Sequence, residues 1–507
     1  MHAGENSTLP FIVNRSIEVK RLNRDLQPDY HVQDSTMQDQ VILMDTFEHP
    51  VRKRGDLLFQ NDNSLFYISR TGKYEQTKPQ RWSFFADLPK GPVKTQLLNL
   101  KTGRAFLSIA SVDLKETHYA VLDTNQKTCA RCRIYTFAKE RQNFSIGFLR
   151  RMRGYDSAFQ CFQRALQSQG ALFNEEKSYI DLLFTFDAFI YSDKPVLPFS
   201  PSEEIFGSTT LIISTFLNVA RQNEDGIIFD YDSEFLHDYR VSLRKIRSVL
   251  TLFKGVFGPA DIVYLKNEFR SLMKMTNRLR DLDVYLQEKE VYTCMVLDSM
   301  KKGLDVLFKL LSDYRQNEWQ QVKSRLTSKE YQTRMEILQR KFELKGEFGR
   351  GAGADTPTLE FAKRLITKRF KKIRRLSAEL DDRAPDEEWH ALRIQCKKGR
   401  YLLELFMSLF PEDQMKSLIK SMKKATDHLG RFNDFAVQQR FLRAFLESAS
   451  LSKAEMMELA QTIGALVTLL RERQNRERRQ SLSSLAYFHR PQTIQSFDAL
   501  FAQEESE

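Results

Sequence analysis

The apolar residues have a strand-like spacing in the first part of the chain and a helical spacing in the remainder. From about residue 41 to residue 137, short apolar or aromatic runs alternate with polar groups, such as residues 61–63 and 71–73. This alternation is typical of short strands joined by tight turns. We therefore expect a mainly antiparallel sheet or barrel there. The predicted strands are residues 41–44, 57–59, 65–68, 106–109, 119–122 and 132–135.

Further along, the spacing becomes helical, first at residues 145–169 and 175–191. Three prolines between residues 195 and 201 then mark a domain boundary, and nearly all of the sequence after residue 202 has the helical period. The glycine-rich segment 346–357 has the composition of a flexible link between two helical halves. The other predicted helix breaks are residues 255–259, residues 381–385 and Pro411.

These patterns predict an α+β multidomain protein. A β-rich domain with a helical connector would occupy residues 1–200, and an all-α domain would occupy residues 201–495. The all-α domain would consist of two helical repeats, at about residues 205–345 and 357–490.

An internal repeat is the main signal in the helical part. A shift of 153 residues aligns two segments that begin with His237 and His390. Asp281 and Asp434 each follow their histidine by 44 residues, so the spacing within each copy is kept. Duplication of a helical unit explains both alignments. The aligned cations are Arg240 with Arg393, Arg244 with Lys397, Lys245 with Lys398, and Arg247 with Arg400.

The aligned residues form a basic stripe in each repeat. On an α-helix, positions 0, 3, 7 and 10 of the motif fall within an arc of about 80°. The histidine and three of the cations therefore share one face, and Lys245 and Lys398 flank it. Like charges at this spacing repel by a few tenths of a kcal/mol per pair. A linear polyanion would relieve that cost.

A third basic run, residues 363–375, contains eight cations and no acid. Its helical period places Arg364, Lys368 and Lys371 on one face, which would widen the positive surface if it packs beside the second stripe. For this run and for both stripes, a solvated helix face is the alternative interpretation. Asp281 and Asp434 invite a catalytic interpretation, but we favour a structural one, in which each acid orients neighbouring arginines such as Arg280 and Arg278.

Composition narrows the class of protein. The 507 residues include 78 Lys and Arg against 66 Asp and Glu, a formal net charge of +12, and 41% are hydrophobic. These values exclude a disordered or fibrous chain. Because the excess of positive charge is small, an anion site must come from local sorting of charge onto one surface.

Several classes of partner are not expected. No apolar stretch approaches the ~20 residues of a membrane span, and the first residues have no export signal, so we expect a cytoplasmic protein without a membrane partner. Five cysteines without metal-binding spacing predict neither a metal site nor a disulfide framework. We expect no cofactor.

In motif, order and duplication, residues 202–490 resemble the conserved histidine α-helical domain (CHAD) family. The shared signature is His-x-x-Arg-x-x-x-Arg/Lys-Lys-x-Arg followed by an Arg-Asp-x-Asp-like element, in two copies. The resemblance implies two four-helix-bundle-like halves whose basic helices line a central groove or pore that binds inorganic polyphosphate. Carried over by position, the ligands would be His237, Arg240, Arg244, Lys245, Arg247, His390, Arg393, Lys397, Lys398 and Arg400, with Arg270, Arg280, Lys423 and Arg431 in second rank.

CHAD domains often follow a CYTH domain, a triphosphate-tunnel β-barrel, and residues 1–200 resemble one weakly. Only Glu18 and Lys20 match its opening acidic motif, and Gln60 and residues 144–148 stand where an arginine and a late acidic pair are expected. Those acids hold the divalent metal that stabilises the transferring phosphoryl charge, so we expect an inactive module that is an accessory or binds a protein partner. The other matching segments are residues 44–46, 54–58 and 119–123.

The predicted function is non-enzymatic binding of polyphosphate through charge pairing with successive phosphates. The histidines could gain a proton in the field of the anion, so binding should tighten as the pH falls. One alternative is a metal-dependent inorganic triphosphatase in residues 1–200. Another is a nucleic-acid-binding protein, which we consider unlikely because the stripes lack interleaved aromatic residues. The sequence leaves open whether the protein associates with polyphosphate granules.

Overall fold

The computed structural model describes residues 8–13, 15–100, 103–173, 180–187, 191–343 and 347–501. The chain divides into two compact units, Met1–Ser192 and Asp193–Glu507. An antiparallel sheet forms the first unit, and helices form the second. The predicted fold class, an antiparallel sheet followed by an all-α duplicated region, is confirmed.

The first unit contains a nine-stranded sheet with the order β5-β4-β3-β2-β6-β7-β8-β1-β9. All neighbouring strands are antiparallel. Among the described residues, no pairing joins the edge strands β5 and β9. The strands are β1 (Thr8–Val13), β2 (Tyr30–Thr46), β3 (Leu57–Gln60), β4 (Ser64–Ser69), β5 (Gly72–Thr77), β6 (Phe106–Asp123), β7 (Thr128–Lys139), β8 (Gln142–Arg151) and β9 (Ala171–Phe173).

Apolar side chains cover both faces of this sheet, as the alternation of side chains along each strand allows. One face is a core that includes Val41, Phe59, Val112, Phe137 and Phe144. The other face packs against the first and fourth helices of the chain. The four helices of this unit are α1 (Val19–Asp25), α2 (Pro50–Lys53), α3 (Pro92–Gln96) and α4 (Asp156–Ser168).

The prediction of helix from residue 145 is wrong for its first part. Residues 145–151 belong to β8, and the helix begins only at Asp156. In β8, six consecutive residues from Phe144 to Leu149 are buried because both faces of the sheet are covered, so the period of two that reveals a strand is lost. Of the second predicted helix, residues 175–179 and 188–190 lie outside the described residues, and residues 180–182 are helical.

The second unit is helical over its described length. It also contains short 3₁₀ turns, including one at Met407–Leu409. None of its described helices has the length and apolar character that a membrane crossing would need. The helices are α5 (Ile205–Gln222), α6 (Glu224–Ile228), α7 (Ser233–Leu252), α8 (Pro259–Met275), α9 (Asn277–Gln287), α10 (Lys289–Met295), α11 (Lys301–Leu326), α12 (Lys329–Glu343), α13 (Thr358–Ala378), α14 (Asp386–Leu405), α15 (Glu412–Ser448), α16 (Lys453–Leu485) and α17 (Pro491–Phe501).

The helix bounds repeat with the same period as the sequence. A shift of 153 residues carries α7 onto α14 at both ends, and carries the first residues of α5 and α8 onto those of α13 and α15. The duplication therefore extends well beyond the aligned basic motif. One difference separates the copies: α8 and α9 are interrupted at Thr276, whereas α15 runs through the equivalent position for 37 residues without a break.

The segment between the repeats is not the flexible link that its glycines predicted. Gly346 lies outside the described residues, but the rest of the segment is fixed to the loop that follows α7. The N–H groups of Gly351 and Gly353 donate to the carbonyl oxygens of Val256 and Gly255 at 2.9 and 2.8 Å. Glycine is needed at residue 351 because a Cβ there would collide with the main chain of Gly255.

We expect Gly303→Ala to destabilise the helical unit. A methyl group at Gly303 in α11 would overlap the carbonyl oxygen of Glu458 and the hydroxyl group of Thr462 in α16, and such overpacking costs about 1–3 kcal/mol. Gly464→Ala in α16 is the control, because a Cβ there meets no other described group and should stabilise the helix by up to about 1 kcal/mol. Urea unfolding followed by circular dichroism measures both. Equal stability of the two variants would contradict this packing.

Candidate anion-binding site

Helices α7 and α14 carry the two basic stripes because their buried residues occupy another face. Asp232 caps α7 by accepting hydrogen bonds from the N–H groups of Glu234 and Phe235, at 2.8 and 3.3 Å. Helix α14 begins with three acidic residues, which favour a helix N-terminus. The buried residues at helical spacing are Phe235, Tyr239, Leu243, Ile246 and Leu250 in α7, and Trp389, Leu392, Cys396, Gly399 and Leu403 in α14.

The two stripes meet near a pseudo-two-fold axis. The equivalent rings of Phe253 and Phe406 stack with their centroids 5.6 Å apart. Arg244 and Lys397 are also equivalent positions, and burial, followed by the nearby charge of Arg244, lowers the pKa of Lys397 to about 7. The contact between Phe253 and Phe406 is what a two-fold relation between the repeats requires close to its axis. Like charges from the two repeats therefore face each other.

Six cations around this axis, three from each repeat, form what we call the cation cluster. Burial, and then the charges of Arg270 and Arg244, lowers the pKa of Arg247. Arg393 and Arg400 act on Lys397 in the same way. Among the described residues, no side chain forms an ion pair or a hydrogen bond with the side chains of Arg244, Arg247, Arg270 or Lys397. The cation cluster consists of Arg244, Arg247, Arg270, Arg393, Lys397 and Arg400.

A cavity of about 320 Å³ opens beside the second repeat. Its acids are already near its arginines: Asp434 lies 3.7 Å from Arg393, and Asp427 lies 3.8 Å from Arg400. Both distances exceed those of a normal charge-assisted hydrogen bond, so these pairs are loose. The lining residues are Arg393, Lys397, Arg400, Thr426, Asp427, Gly430, Arg431 and Asp434.

Arg240 of the first repeat is buried and hydrogen-bonded, whereas its equivalent in the second repeat, Arg393, lines the open cavity. The break in its helix exposes acceptors, and Nη1 of Arg240 donates to Oγ1 of Thr276, Oδ1 of Asn277 and the carbonyl oxygen of Met273 at 2.8, 2.9 and 3.2 Å. Only 9% of Arg240 is exposed, and burial lowers its pKa to about 10. Its equivalent Arg393 keeps 21% of its side chain exposed. Arg240 is thus a structural clamp.

Each motif histidine forms a hydrogen bond with a residue 43 positions further along the chain, Arg280 for His237 and Asn433 for His390. Nδ1 of His237 accepts a hydrogen bond from Nη2 of Arg280 at 2.8 Å, and Nδ1 of His390 is 2.7 Å from Oδ1 of Asn433. An arginine donor requires an unprotonated Nδ1 in His237, whereas the amide oxygen of Asn433 requires a protonated Nδ1 in His390. The two histidines therefore contact the neighbouring helix through opposite roles of Nδ1, which is an acceptor in His237 and a donor in His390.

Comparison with known proteins identifies the region that holds the cation cluster. Residues 211–443 match the family model described as CHAD domain. The chain contains a CHAD domain. Two solved structures are similar to it: the CHAD domain from the plant Ricinus communis, with 23% identity and a TM-score of 0.48, and PptA from Streptomyces chartreusis, with 16% identity and a TM-score of 0.40. They cover 58% and 57% of this chain and 95% and 99% of their own. No curated protein matched.

Two predicted ligands of the CHAD domain lie beside the cation cluster and do not line its cavity. Nζ of Lys245 lies 4.3 Å from the ring centroid of Phe216 in α5. Lys398 lies near α13: burial, and then the charges of Arg369 and Lys372 on that helix, lower the pKa of Lys398. These positions agree with the flanking place that the helical wheel gave the two lysines.

The remaining predicted ligands of the CHAD domain are scattered. One face of α13 is exposed and carries Arg364, Lys368 and Lys371. Arg369 lies on another face of α13 and donates a hydrogen bond to Gln395 of α14. Lys423 is exposed on α15. Arg431 lines the cavity, but its Nε donates to Glu477 at 2.7 Å. In the third basic run, Arg369 is therefore the residue that contacts α14, and the face predicted to widen the positive surface is exposed to solvent.

Of the two arginines predicted to be oriented by the repeated acids of the CHAD domain, Arg280 acts on Asp281, whereas Arg278 pairs with another residue. Asp434 contacts Arg393 of the stripe. Burial raises the pKa of Asp281, and Arg240 and Arg280 counteract this rise. Arg278 instead pairs with Glu318 at 3.7 Å. The structural interpretation of both acids agrees with these contacts, but Arg278 is not their partner.

Sequence reasoning missed Thr426, Asp427 and Gly430, which line the cavity of the CHAD domain. A signal was available, since Gly430 and Asp427 precede Asp434 by four and seven residues and so share its helix face. Within the described residues, no three His, Cys, Asp or Glu side chains form a group that could hold a metal ion.

We expect the equivalent arginines of the CHAD domain to differ in their contribution to stability. Arg240→Gln removes three hydrogen bonds from a buried charged group and should cost about 1.5–3 kcal/mol. Arg393→Gln loses only a loose, partly exposed ion pair and should cost less than about 1 kcal/mol. Urea unfolding provides the measurement, and equal losses would argue against the clamp.

Proposed function

We propose that the CHAD domain binds inorganic polyphosphate at the cation cluster without catalysing a reaction. The observation that carries this proposal is the cavity lined by Arg393, Lys397 and Arg400. Arg244 of the first repeat lies near enough to act on Lys397, and within the described residues neither of these two equivalent cations forms an ion pair. Bringing such charges together costs electrostatic free energy in a half-buried site. An anion between them would recover that cost. The CHAD resemblance also implies this ligand.

A linear phosphate polymer fits the cluster better than a single phosphate ion. Arg247 lies near Arg270 and Arg244, and Lys397 lies near Arg244, so that successive phosphates could each meet a new partner. Arginine forks suit two phosphate oxygens at once, and lysine supplies a compact charge. Each neutralised phosphate releases counter-ions, which makes such binding strongly dependent on salt.

The decisive test compares two triple variants of equal charge change. We expect Arg244→Gln/Lys397→Gln/Arg400→Gln to weaken binding of long-chain polyphosphate roughly 100-fold or more, since a hydrogen bond to a charged group is worth at least about 1.5 kcal/mol. The salt dependence should also decrease, by about 0.7–0.9 in log–log slope for each phosphate that is no longer neutralised. Calorimetric titration at several salt concentrations measures both quantities.

The control variant is Lys302→Gln/Lys309→Gln/Arg340→Gln, which removes three exposed cations from α11 and α12. Its affinity should stay within about threefold of the wild type, because distant exposed charges are screened. Equal weakening by both triple variants would mean that net charge, and not the cation cluster, binds the polymer. Competition with RNA of equal charge tests the nucleic-acid alternative, which preferential binding of RNA would support.

For the first unit, we propose an accessory role without catalysis. The sheet face that would line a phosphate tunnel is filled by apolar residues such as Phe59, Phe137 and Phe144. Glu18 and Lys20 are exposed at the start of α1. Gln60 accepts a hydrogen bond from Trp82 at 2.8 Å. These positions support the inactive interpretation, because acids that hold a divalent metal must converge on one site.

A phosphate-release assay tests this part of the proposal. The full-length protein with tripolyphosphate and Mg²⁺ or Mn²⁺ should release no more phosphate than a blank, because an apolar interior cannot stabilise a transferring phosphoryl group. Turnover that Glu18→Ala abolishes would overturn the proposal and restore the triphosphatase alternative.

A further inference from the structure

Lys397 has an unusual position for a lysine. Its side chain is half-buried and lines the cavity of the second repeat. Its Nζ lies 5.9 Å from the ring centroid of Tyr401, one turn further along α14. Most lysines extend their ammonium group into water. Lys397 instead ends within a site surrounded by other charged groups.

The groups that face Lys397 are mainly cationic. Arg244 approaches from α7, and Arg393 and Arg400 lie on its own helix. Helix α15 supplies one more cation and two acids to the cavity, and none of the described acids lies within ion-pair distance of Nζ. These α15 residues are Arg431, Asp427 and Asp434.

The nearby acids interact with other residues. Oε1 of Glu404 lies 3.3 Å from Nε of Arg400, and Asp427 lies near the same guanidinium. Asp434 is next to Arg393. Because arginine stays charged under all ordinary conditions, the repulsion among these cations is relieved by loss of a proton from the lysine. Burial and the three arginines lower the pKa of Lys397 to about 7, and Asp434 opposes them.

We propose that Lys397 takes up a proton from the solvent when a phosphate chain enters the cavity, so that polyphosphate binding and protonation of this lysine are coupled. This inference rests on the proposed function. In the free protein, burial and the nearby arginines favour the neutral amine of Lys397. A bound phosphate supplies the missing counter-ion and favours the ammonium form. Arg244 and Lys397 can then both be charged on either side of the ligand.

The coupling fixes the direction of the pH dependence. Because burial and the neighbouring arginines lower the pKa of Lys397 to about 7, proton uptake on binding increases as the pH rises above this value, toward one proton per site. The affinity therefore falls as the pH rises, by up to about tenfold per pH unit above pH 8, until the pKa of the bound state is reached.

The test is calorimetric titration of polyphosphate chains of about 100 units into the full-length protein at pH 8, in two buffers with different ionisation enthalpies. The difference between the two apparent enthalpies gives the number of protons taken up. Long chains reduce the contribution of terminal phosphates, and pH 8 lies above the ordinary pKa of an imidazole. We expect uptake of close to one proton per Lys397 site in the wild type.

Three variants complete the experiment. Lys397→Arg keeps the charge but cannot titrate, so it should bind with no uptake above that of the polymer alone and with a flatter pH profile. Lys397→Met should also abolish proton uptake. It provides a second result in case the larger guanidinium of Lys397→Arg disturbs folding, which circular dichroism would reveal. Lys424→Arg, an exposed position on α15, should behave as the wild type.

The outcomes separate this inference from the function on which it rests. No binding of polyphosphate by the wild type would overturn the proposed function. Binding without proton uptake, or uptake that persists in both Lys397→Arg and Lys397→Met, would overturn the coupling alone and leave polyphosphate binding in place.

Discussion

The helical unit depends on the approach of equivalent residues from its two repeats, Arg244 and Lys397 among them, near a pseudo-two-fold axis. Two equivalent cations at such an axis cannot avoid each other, because the symmetry that brings one to the contact also brings the other. Apolar contacts hold them there, including the stacked rings of Phe253 and Phe406. The packing of the duplicated fold thus opposes the repulsion, and the site is prepared for an anion before any ligand arrives.

The two repeats have diverged in how they use the same basic motif. In the first, a helix break at Thr276 provides acceptors that fix Arg240 inside the protein. In the second, the continuous helix α15 has Leu429 and Gly430 at the equivalent positions, so Arg393 meets no such acceptors and stays partly exposed. One copy therefore strengthens the scaffold, and the other keeps a cavity in which ligand groups can reach the cations.

The sequence predicted the part of this architecture that depends on period and repetition. The shift of 153 residues anticipated the bounds of α14 from those of α7, and the helical wheel separated Lys245 and Lys398 from the stripe. Pairing across helices was out of reach, since nothing in a single sequence shows that Arg240 meets a carbonyl group 33 residues away. Strand β8 was missed because its two buried faces erase the alternation on which strand prediction depends.

The acids around the cavity bear on which phosphate compounds such a site can retain. Asp427 and Asp434 are loose partners of Arg400 and Arg393, so any phosphate that binds there competes with carboxylates already in place. A single phosphate ion must displace them by its own affinity. A phosphate chain held at Arg244 and Arg247 presents its next unit at a high effective concentration, which adds to the affinity without new contacts. If polyphosphate is the ligand, as proposed, the resident acids would weaken the binding of short anions more than that of long ones, and this competition would favour a polymer.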